Sequence, residues 1–215
     1  MRERFAAIYT AALADILDAR GLPAQTLPPA IRPLKRGARV AGPAYTVQGG
    51  PASNPDAAAY DQAIRKVLSM LGDVPEGHVA VYACDQDVAA HLGELSVTSL
   101  KARGVAGCVL DGGCRDIGFI RDEGFPVFCR FVTPEDSTWR WELESTQKPV
   151  IIGRVRIEPG DWIVGDDDGV VVVPQTIAED VLAEAEQKAV TESEIRVAVR
   201  DGMPPLEAYE RYGTF

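Results

Sequence analysis

The stretch "VAGCVLDGGCRDIGFIRDEGFPVFCRFV", residues 105–132, decides the fold class. Its apolar runs over 105–112 and 126–132 predict two buried strands, and residues 116–123 predict a short helix between them. A strand, a short helix and a second strand with short links favour α/β topology with partly parallel pairing. The glycine-rich segment 111–113 predicts a turn at the carboxyl end of the first strand, where α/β sheets usually present ligand sites.

The sequence before this stretch predicts further elements of both kinds. Helical spacing of apolar residues predicts helices over residues 4–19, 55–71 and 93–103. Gly21 ends the first of these, and Asn54 or Asp56 lies near the cap of the second. The segments "ARVAGPAYTV" (38–47) and "HVAVYAC" (78–84) predict a strand pair and a buried strand, respectively.

Turn signals become frequent in the later part of the chain. Residues 149–174 predict closely spaced β-hairpins, with turns at Gly153, Pro159-Gly160 and Asp168-Gly169. A long helix over 175–199 and a short one after Pro204-Pro205 follow. No repeat or low-complexity linker interrupts the sequence, so residues 1–215 are predicted to form a single domain with a C-terminal helical arm over about 175–215.

Composition excludes several classes of protein. The 215 residues are 46% hydrophobic and 25% charged, which is typical of a globular protein with a sizeable core. A net charge of −10 disfavours a nucleic-acid-binding surface. Four cysteines without a C-x-x-C pair indicate buried, reduced thiols. No apolar run is long enough to span a bilayer, and the expectation is a soluble, cytoplasmic protein with neither nucleic acid nor membrane as partner.

The adjacent pair Arg115 and Asp116 supports two interpretations. Asp116 could cap the following helix, with Arg115 solvated beside it. Alternatively, Arg115 binds a carboxylate bidentately, and Asp116 holds a hard divalent cation. One protein carboxylate plus waters is a plausible shell for Mg²⁺, because that ion dehydrates reluctantly.

The segment "GEL", residues 93–95, leaves a similar choice. Glu94 could be an ordinary first-turn acid that favours the helix dipole. Alternatively, Gly93 allows a ligand to approach the backbone, and the free amides after it bind a carboxylate.

Three other polar features are explained more simply by structure than by catalysis. The cluster 166–168 lacks the ligand spacing of an EF-hand and predicts a tight turn with Asp168-Gly169 in left-handed positions. His91 is a lone histidine before a helix. Glu192 and Glu194 fit a solvated helix face.

Four motifs occur in order: "GEL", "ARGVAGCVLDGGCRD", "GFPVFCRF" and "PGDWIVGDDDGVVVVP". This series resembles the RraA-like family, which includes the regulator of ribonuclease activity A and the class II 4-hydroxy-4-methyl-2-oxoglutarate aldolases. The resemblance extends from "ADILDARG" through "GPAYTVQ" to the helix that ends near Arg200. It implies a swivelling-type β/β/α sandwich, assembled as a trimer or hexamer with active sites at subunit boundaries.

The resemblance also implies roles for single residues. Arg115 would hold the pyruvyl carboxylate of the substrate, and Asp116 would bind Mg²⁺ or Mn²⁺ directly. The aldolases of the family carry an acidic residue, then twenty residues, then Arg-Asp. Glu94 occupies the acidic position of that motif here and would act on the metal through water.

In the family, residues other than these three also contact the substrate and the metal. Gly93 and the backbone amides of Leu95 and Ser96 would help to hold the substrate. Glu192 of a neighbouring subunit, with Glu194 as the alternative, would complete the metal shell through water.

The implied function is that of a divalent-metal-dependent lyase. It would cleave 4-hydroxy-4-methyl-2-oxoglutarate or a related 4-hydroxy-2-oxo acid to pyruvate, with oxaloacetate decarboxylation as a side activity. Two departures from the aldolase pattern are Glu94 in place of aspartate and Phe119 in place of an acidic residue. The alternatives are a non-enzymatic regulator that binds a ribonuclease, and a metal-dependent reaction on another 2-oxo or hydroxy acid.

Overall fold

A computed structural model of the chain describes residues 1–52, 57–85 and 88–215, including their side chains except those of 57–59. The helices are α1 (Arg2–Ala7), α2 (Thr10–Ala19), α3 (Ala57–Asp73), α4 (Glu94–Ala102), α5 (Ile117–Glu123), α6 (Ala178–Arg200) and α7 (Pro205–Tyr212). The strands are β1 (Arg32–Pro33), β2 (Val40–Pro51), β3 (Val79–Ala83), β4 (Ala90–Leu92), β5 (Gly107–Cys114), β6 (Val127–Val132), β7 (Trp141–Thr146), β8 (Val150–Ile152), β9 (Val155–Ile157), β10 (Trp162–Asp166) and β11 (Gly169–Val173).

Within the described residues, a mixed sheet of nine strands forms the centre of the molecule. Its strand order is β1-β6-β5-β3-β2-β10-β11, with β4 paired to β5 and β7 paired to β2. Strands β2, β3, β5 and β6 run parallel to one another, and the helices α4 and α5 lie between successive strands in the chain. The predicted α/β topology with partly parallel strands is therefore confirmed.

The sheet is nearly closed by the segment that precedes β1. The Leu27 amide donates to the Val170 carbonyl at 3.0 Å, which places this segment beside β11. A few residues later, Arg32 and Pro33 pair with Cys129 and Phe128 of β6 on the opposite edge. The segment thus joins both edges of the sheet, and a closed sheet leaves few unpaired backbone groups.

Strand β3 shows how the core is arranged on both sides of the sheet. Val79 and Val81 face one apolar cluster, which includes the β8–β9 hairpin, and Ala80 and Tyr82 face another beneath α3, α4 and α5. Side chains alternate along a strand, so the uniformly apolar sequence of β3 follows from burial on both faces. A third cluster packs α1, α2 and the first half of α6 against β10 and β11.

The predicted helix over 4–19 is wrong in one respect, because the structure has two helices there. Ile8 is extended (φ −84°, ψ 140°) and separates α1 from α2. The carboxylate of Asp166 accepts hydrogen bonds from the Thr10 amide at 2.9 Å and the Thr10 hydroxyl at 2.7 Å. These contacts satisfy orphan donors at the start of α2 and stabilise the break.

The prediction of a strand pair over 38–47 is also wrong. These residues enter one long strand, β2, in which Gly42 lies opposite Ile163 of β10. A Cβ atom at Gly42 would lie 2.4 Å from the Gly77 carbonyl oxygen. The glycine therefore permits close backbone approach and does not mark a turn.

The predicted turn at 111–113 likewise lies inside strand β5. Cβ atoms at Gly112 and Gly113 would lie 2.6 Å from His91 Nδ1 and from the Ala89 carbonyl, respectively. Both glycines are thus required by tight packing, and the strand continues to Cys114 with a register shift against β6.

The later elements agree closely with their predictions. The β8–β9 and β10–β11 hairpins are present, although Gly169 alone of the Asp168-Gly169 pair has a positive φ. A short 3-10 turn precedes α6, and α7 follows Pro204. The proposed caps Asn54 and Asp56 lie outside the described residues. Within the described ranges, no helix is long and apolar enough to cross a membrane.

Candidate active site

Two neighbouring parallel strands bring the sequence-predicted residues together. Gly93 follows β4, Arg115 follows β5, and the two strands are paired in parallel. The Arg115 amide donates to the Leu92 carbonyl at 3.0 Å, so the ends of both strands are in direct contact. The site therefore lies at the carboxyl edge of the sheet, as expected for α/β proteins.

Asp116 does not cap its own helix. It occupies a left-handed conformation (φ 59°, ψ 35°) before α5 and makes no side-chain cap there. Its Oδ2 instead accepts a hydrogen bond from the backbone amide of Glu94, the first residue of α4, at 3.0 Å. The simple capping interpretation of Asp116 is therefore wrong, and its carboxylate points to the start of the neighbouring helix.

Gly93 is required by this arrangement. A Cβ atom at position 93 would lie 2.7 Å from Asp116 Oδ2 and 3.2 Å from Arg115 Nε. Any larger residue would push these two side chains away from the start of α4. Gly93, Arg115 and Asp116 thus form one packed unit.

Arg115 is held by two carboxylates and is not simply solvated. Its Nη1 lies 3.2 Å from Asp136 Oδ2, and its Nε lies 3.7 Å from Asp116 Oδ2. The guanidinium remains accessible, with 37% of its side chain exposed. It can therefore still offer N–H groups to an anionic ligand.

Asp136 is the site residue that sequence reasoning missed. Its Oδ1 accepts hydrogen bonds from the Thr138 amide at 3.0 Å and the Thr138 hydroxyl at 2.8 Å. Partial burial opposes its ionisation, but these hydrogen bonds and the charge of Arg115 outweigh that effect and lower the pKa of Asp136. The only available signal was the segment "DST", which is typical of an Asx turn and does not identify a partner.

The first turn of α4 provides free backbone donors. The first helical hydrogen bond is that from the Val97 amide to the Gly93 carbonyl, so the amides of Leu95 and Ser96 have no helical acceptor. Glu94 extends from the same turn, and its Oε1 accepts a hydrogen bond from the Thr98 hydroxyl at 3.3 Å. These features agree with the predicted anion-binding role of the segment, which remains a prediction.

A cavity of about 350 Å³ opens beside these groups. Gly93, Ser96, Arg115 and Asp136 line it together with His91. Its other wall consists of apolar side chains from α3 and β7. The candidate site is thus a pocket with a charged end and an apolar end, as small-molecule sites commonly are.

His91 is a buried member of the cavity lining. Its ring lies edge-on to Trp141, with the centroids 5.2 Å apart. Burial lowers the pKa of His91 to about 4, and a backbone hydrogen bond at Gly113 opposes this only weakly. The imidazole is therefore neutral near pH 7.

Replacing His91 with glutamine is expected to remove an acid-dependent loss of stability. The pKa of His91 is about 4 in the folded protein, against an ordinary value of 6.5. As the pH falls from 6.5 to 4, the unfolded chain binds a proton that the folded protein does not, so the free energy of unfolding decreases. Between pH 7.5 and 4.5 this decrease is about 2 to 3 kcal/mol.

Urea denaturation of both proteins at pH 7.5 and 4.5 measures this difference. The wild type is expected to lose about 2 to 3 kcal/mol more than His91→Gln, since other titrating groups are common to both. An equal loss in the two proteins would show that the imidazole is not buried as a neutral group.

Glu192 and Glu194 lie away from the Arg115 group within one chain. Glu192 belongs to α6, accepts a hydrogen bond from the Tyr9 hydroxyl and lies 3.9 Å from Lys188 Nζ. Burial and this hydrogen bond raise the pKa of Tyr9. Glu194 borders a separate surface hollow near Tyr212. A role for either residue in the site of another subunit remains a prediction.

The donor set at Asp116 fits a hard divalent cation. In the part of the chain that the structure describes, no three histidine, cysteine or acidic side chains converge as ligands. The Asp116 side chain is 41% exposed, and Oδ2 is engaged with the Glu94 amide, which leaves Oδ1 free. Mg²⁺ retains several waters and commonly needs only one or two protein carboxylates, so this arrangement suits it.

The fold is that of a mixed α/β protein with a nearly closed sheet, and a cavity lies at the carboxyl edge of that sheet. A family model described as RraA-like (Aldolase/RraA) matches residues 10–172. The chain belongs to the RraA-like family.

Relatives with different names are similar to this chain. A protein of Halalkalibacterium halodurans, provisionally named 4-hydroxy-4-methyl-2-oxoglutarate aldolase, is 34% identical over 207 residues, covering 96% of this chain and 91% of its own. The crystal structure of Streptomyces coelicolor RraAS2, described as an unusual member of the RNase ES inhibitor RraA protein family, has a TM-score of 0.79 and 30% identity, covering 90% of this chain and 94% of its own. An uncharacterized protein from Pseudomonas syringae has a TM-score of 0.82 and 31% identity, covering 96% of this chain and 94% of its own.

Proposed function

We propose that this protein is a divalent-metal-dependent lyase. It cleaves 4-hydroxy-4-methyl-2-oxoglutarate or a related 4-hydroxy-2-oxo acid to pyruvate, and it decarboxylates oxaloacetate as a side reaction. The observation that supports this most directly is the packing of Arg115 and Asp116 against the first turn of α4, with Arg115 lining the adjoining cavity. The likeness to a relative named as an aldolase supports the same reaction class.

The residues of the site have complementary tasks in this reaction. Arg115 binds the carboxylate of the 2-oxo acid, and the amides of Leu95 and Ser96 add hydrogen bonds to the same end of the substrate. Bound at Asp116, Mg²⁺ or Mn²⁺ would supply Lewis-acid stabilisation of the negative charge that develops on the pyruvate enolate. Glu94 relays a proton from the substrate hydroxyl through water.

The proposed active form is a homotrimer or hexamer. In that assembly Glu192 of a neighbouring subunit would help to hold the metal through water. Since Glu192 is engaged by Tyr9 within its own chain, assembly must be compatible with that contact or replace it.

The second candidate is a regulator that binds a ribonuclease without catalysis. The likeness to RraAS2 and the net charge of −10 favour it, because an acidic surface can dock a basic partner. The pocket beside Arg115 and the retained acid at Glu94 favour the enzyme. A pull-down that recovers a ribonuclease, together with no turnover of any oxo acid, would support the regulator.

Removal of divalent metal is expected to abolish pyruvate release. Purified protein with Mg²⁺ or Mn²⁺ should release pyruvate from 4-hydroxy-4-methyl-2-oxoglutarate and from oxaloacetate in a coupled dehydrogenase assay. Excess chelator should reduce the rate by at least about 100-fold, and added Mg²⁺ should restore it. Activity that is unchanged by the chelator would contradict the proposal.

A further inference from the structure

Arg115 lies between two carboxylates that hold it unequally. Its Nη1 lies 3.2 Å from Asp136 Oδ2, which is within hydrogen-bond distance, whereas its Nε lies 3.7 Å from Asp116 Oδ2, which is not. A Cβ atom at Gly93 would lie 3.4 Å from Arg115 Cγ, so the stem of the arginine packs against the backbone there. The guanidinium is therefore bound to Asp136 and only lies near Asp116.

Asp136 is itself fixed within the loop between β6 and β7. Its Oδ1 accepts hydrogen bonds from the amide and the hydroxyl of Thr138, which leaves Oδ2 for Arg115. The loop is attached to β4, because the Ala90 amide donates to the Glu135 carbonyl at 2.8 Å and Ala90 forms a parallel bridge with Asp136. Asp136 thus holds Arg115 from a fixed position beside β4.

The negative charge of Asp136 has a cost for substrate binding. Its carboxylate is ionised near pH 7, because partial burial is outweighed by the Thr138 hydrogen bonds and the charge of Arg115, which lower its pKa. Asp136 lines the cavity together with Arg115, and in the proposed function the substrate is an anion. A carboxylate at this place opposes the binding of that anion. The contact therefore favours the placement of Arg115 over the affinity for substrate.

We propose that Asp136 is a positioning residue, which keeps the Arg115 guanidinium at the cavity and away from Asp116. The inference rests on the proposed function, in which Arg115 binds the 2-oxo carboxylate and Asp116 binds a divalent cation. Without Asp136, Asp116 is the remaining described carboxylate within 4 Å of the guanidinium, which would pair with it. An arginine paired with Asp116 is displaced from the substrate and competes with the cation for the same carboxylate.

Replacing Asp136 with asparagine tests this role. Asparagine keeps an oxygen for the Thr138 donors but offers Arg115 an amide group in place of a carboxylate oxygen. The value of kcat/KM for pyruvate release is expected to fall about 10- to 100-fold. Binding of Mn²⁺, measured by calorimetric titration, should weaken about 10-fold, although Asp136 is not a proposed metal ligand. The ion pair is partly exposed, so the melting temperature should shift by less than about 4 °C.

The same substitution in an Arg115→Ala background separates positioning from other effects. If Asp136 acts through Arg115, Asp136→Asn should change kcat/KM and Mn²⁺ binding by less than about threefold in that background. A direct electrostatic effect of Asp136 on the cation, or a general loss of loop structure, would persist without the arginine. Equal losses in the two backgrounds would therefore overturn the inference.

Asp136→Glu distinguishes the charge from the conformation of the loop. Glutamate retains the carboxylate but is too long to form the same turn with Thr138, whereas asparagine retains that turn. A role in holding Arg115 predicts that Asp136→Glu releases pyruvate faster than Asp136→Asn. The opposite order would show that the loop conformation matters and the charge does not, and the inference would be wrong.

Glu135→Gln is the matched control. Glu135 precedes Asp136 in the same loop, and its Oε2 lies 3.0 Å from Arg140 Nε, but it is not part of the described cavity lining. Its kcat/KM and its affinity for Mn²⁺ are expected to stay within about twofold of the wild type.

Failure of the proposed function is distinguishable from failure of this inference. A wild type that binds Mn²⁺ but releases no pyruvate from any 2-oxo acid would overturn the proposed reaction. The Mn²⁺ titrations would then still test whether Asp136 acts through Arg115. A wild type that binds no Mn²⁺ would overturn both.

Discussion

The substitution Arg115→Ala is expected to reduce kcat/KM for pyruvate release by about 10³-fold. Alanine removes the fork of N–H donors that would pair with the 2-oxo carboxylate, and it leaves Asp136 and Asp116 without their shared cation. The lost contact positions the scissile bond as well as binding the substrate, so both kcat and KM should change. Steady-state kinetics at saturating Mg²⁺ measures this effect.

Two further variants separate charge from geometry at this position. Arg115→Lys retains the positive charge but cannot bind a carboxylate through a planar fork, so it is expected to recover only a small part of the activity. Arg156→Ala is the matched control, because Arg156 lies on β9 and pairs with Glu158 outside the cavity. Full activity of Arg115→Ala would contradict the proposed role of the arginine.

The substitution Asp116→Asn is expected to reduce kcat/KM by a similar factor of about 10³ through loss of the metal. Asparagine keeps an oxygen that can accept the Glu94 amide, and it tolerates the left-handed conformation that residue 116 adopts. The free energy of unfolding should therefore change by less than about 1 kcal/mol. Calorimetric titration with Mn²⁺ is expected to show at least about 100-fold weaker binding.

Asp116→Ala provides the comparison for stability. It removes both the carboxylate and the acceptor for the Glu94 amide, so it should be destabilised relative to Asp116→Asn while being equally inactive. If Asp116→Asn binds Mn²⁺ as tightly as the wild type, the direct ligand must be a different group.

The parts of the fold that were predictable from sequence are those with long, uniform signals. The runs that became β3, β5 and β6 are largely apolar and bounded by turns or helices, which is typical of buried parallel strands. Gly93 and Arg115 share a sheet edge because β4, a short strand that the sequence analysis did not predict, pairs in parallel with β5.

The parts that were not predictable depend on partners distant in sequence. The break between α1 and α2 contains neither glycine nor proline and relies on Asp166, 156 residues after Thr10. Asp136 contacts Arg115 from the loop between β6 and β7. A hydrogen bond from the Ala90 amide to the Glu135 carbonyl, at 2.8 Å, holds this loop in place. Gly42 and Gly112 resemble turn glycines in the sequence. A Cβ atom at either position would collide with an opposing group, and this becomes apparent only when the position of that group is known.

The near closure of the sheet has a consequence for how the chain acquires its structure during synthesis. The hydrogen bond between Leu27 and Val170 joins residues that are 143 positions apart, and the first third of β2 stays unpaired on one side until β10 is available. Until the last hairpin leaves the ribosome, a nascent chain keeps two unpaired strand edges, which are templates for association with other chains. The parallel strands β3, β5 and β6 can form earlier from nearer segments. We therefore expect the β10–β11 hairpin to close the sheet last, and its late synthesis to extend the period during which the nascent chain can aggregate.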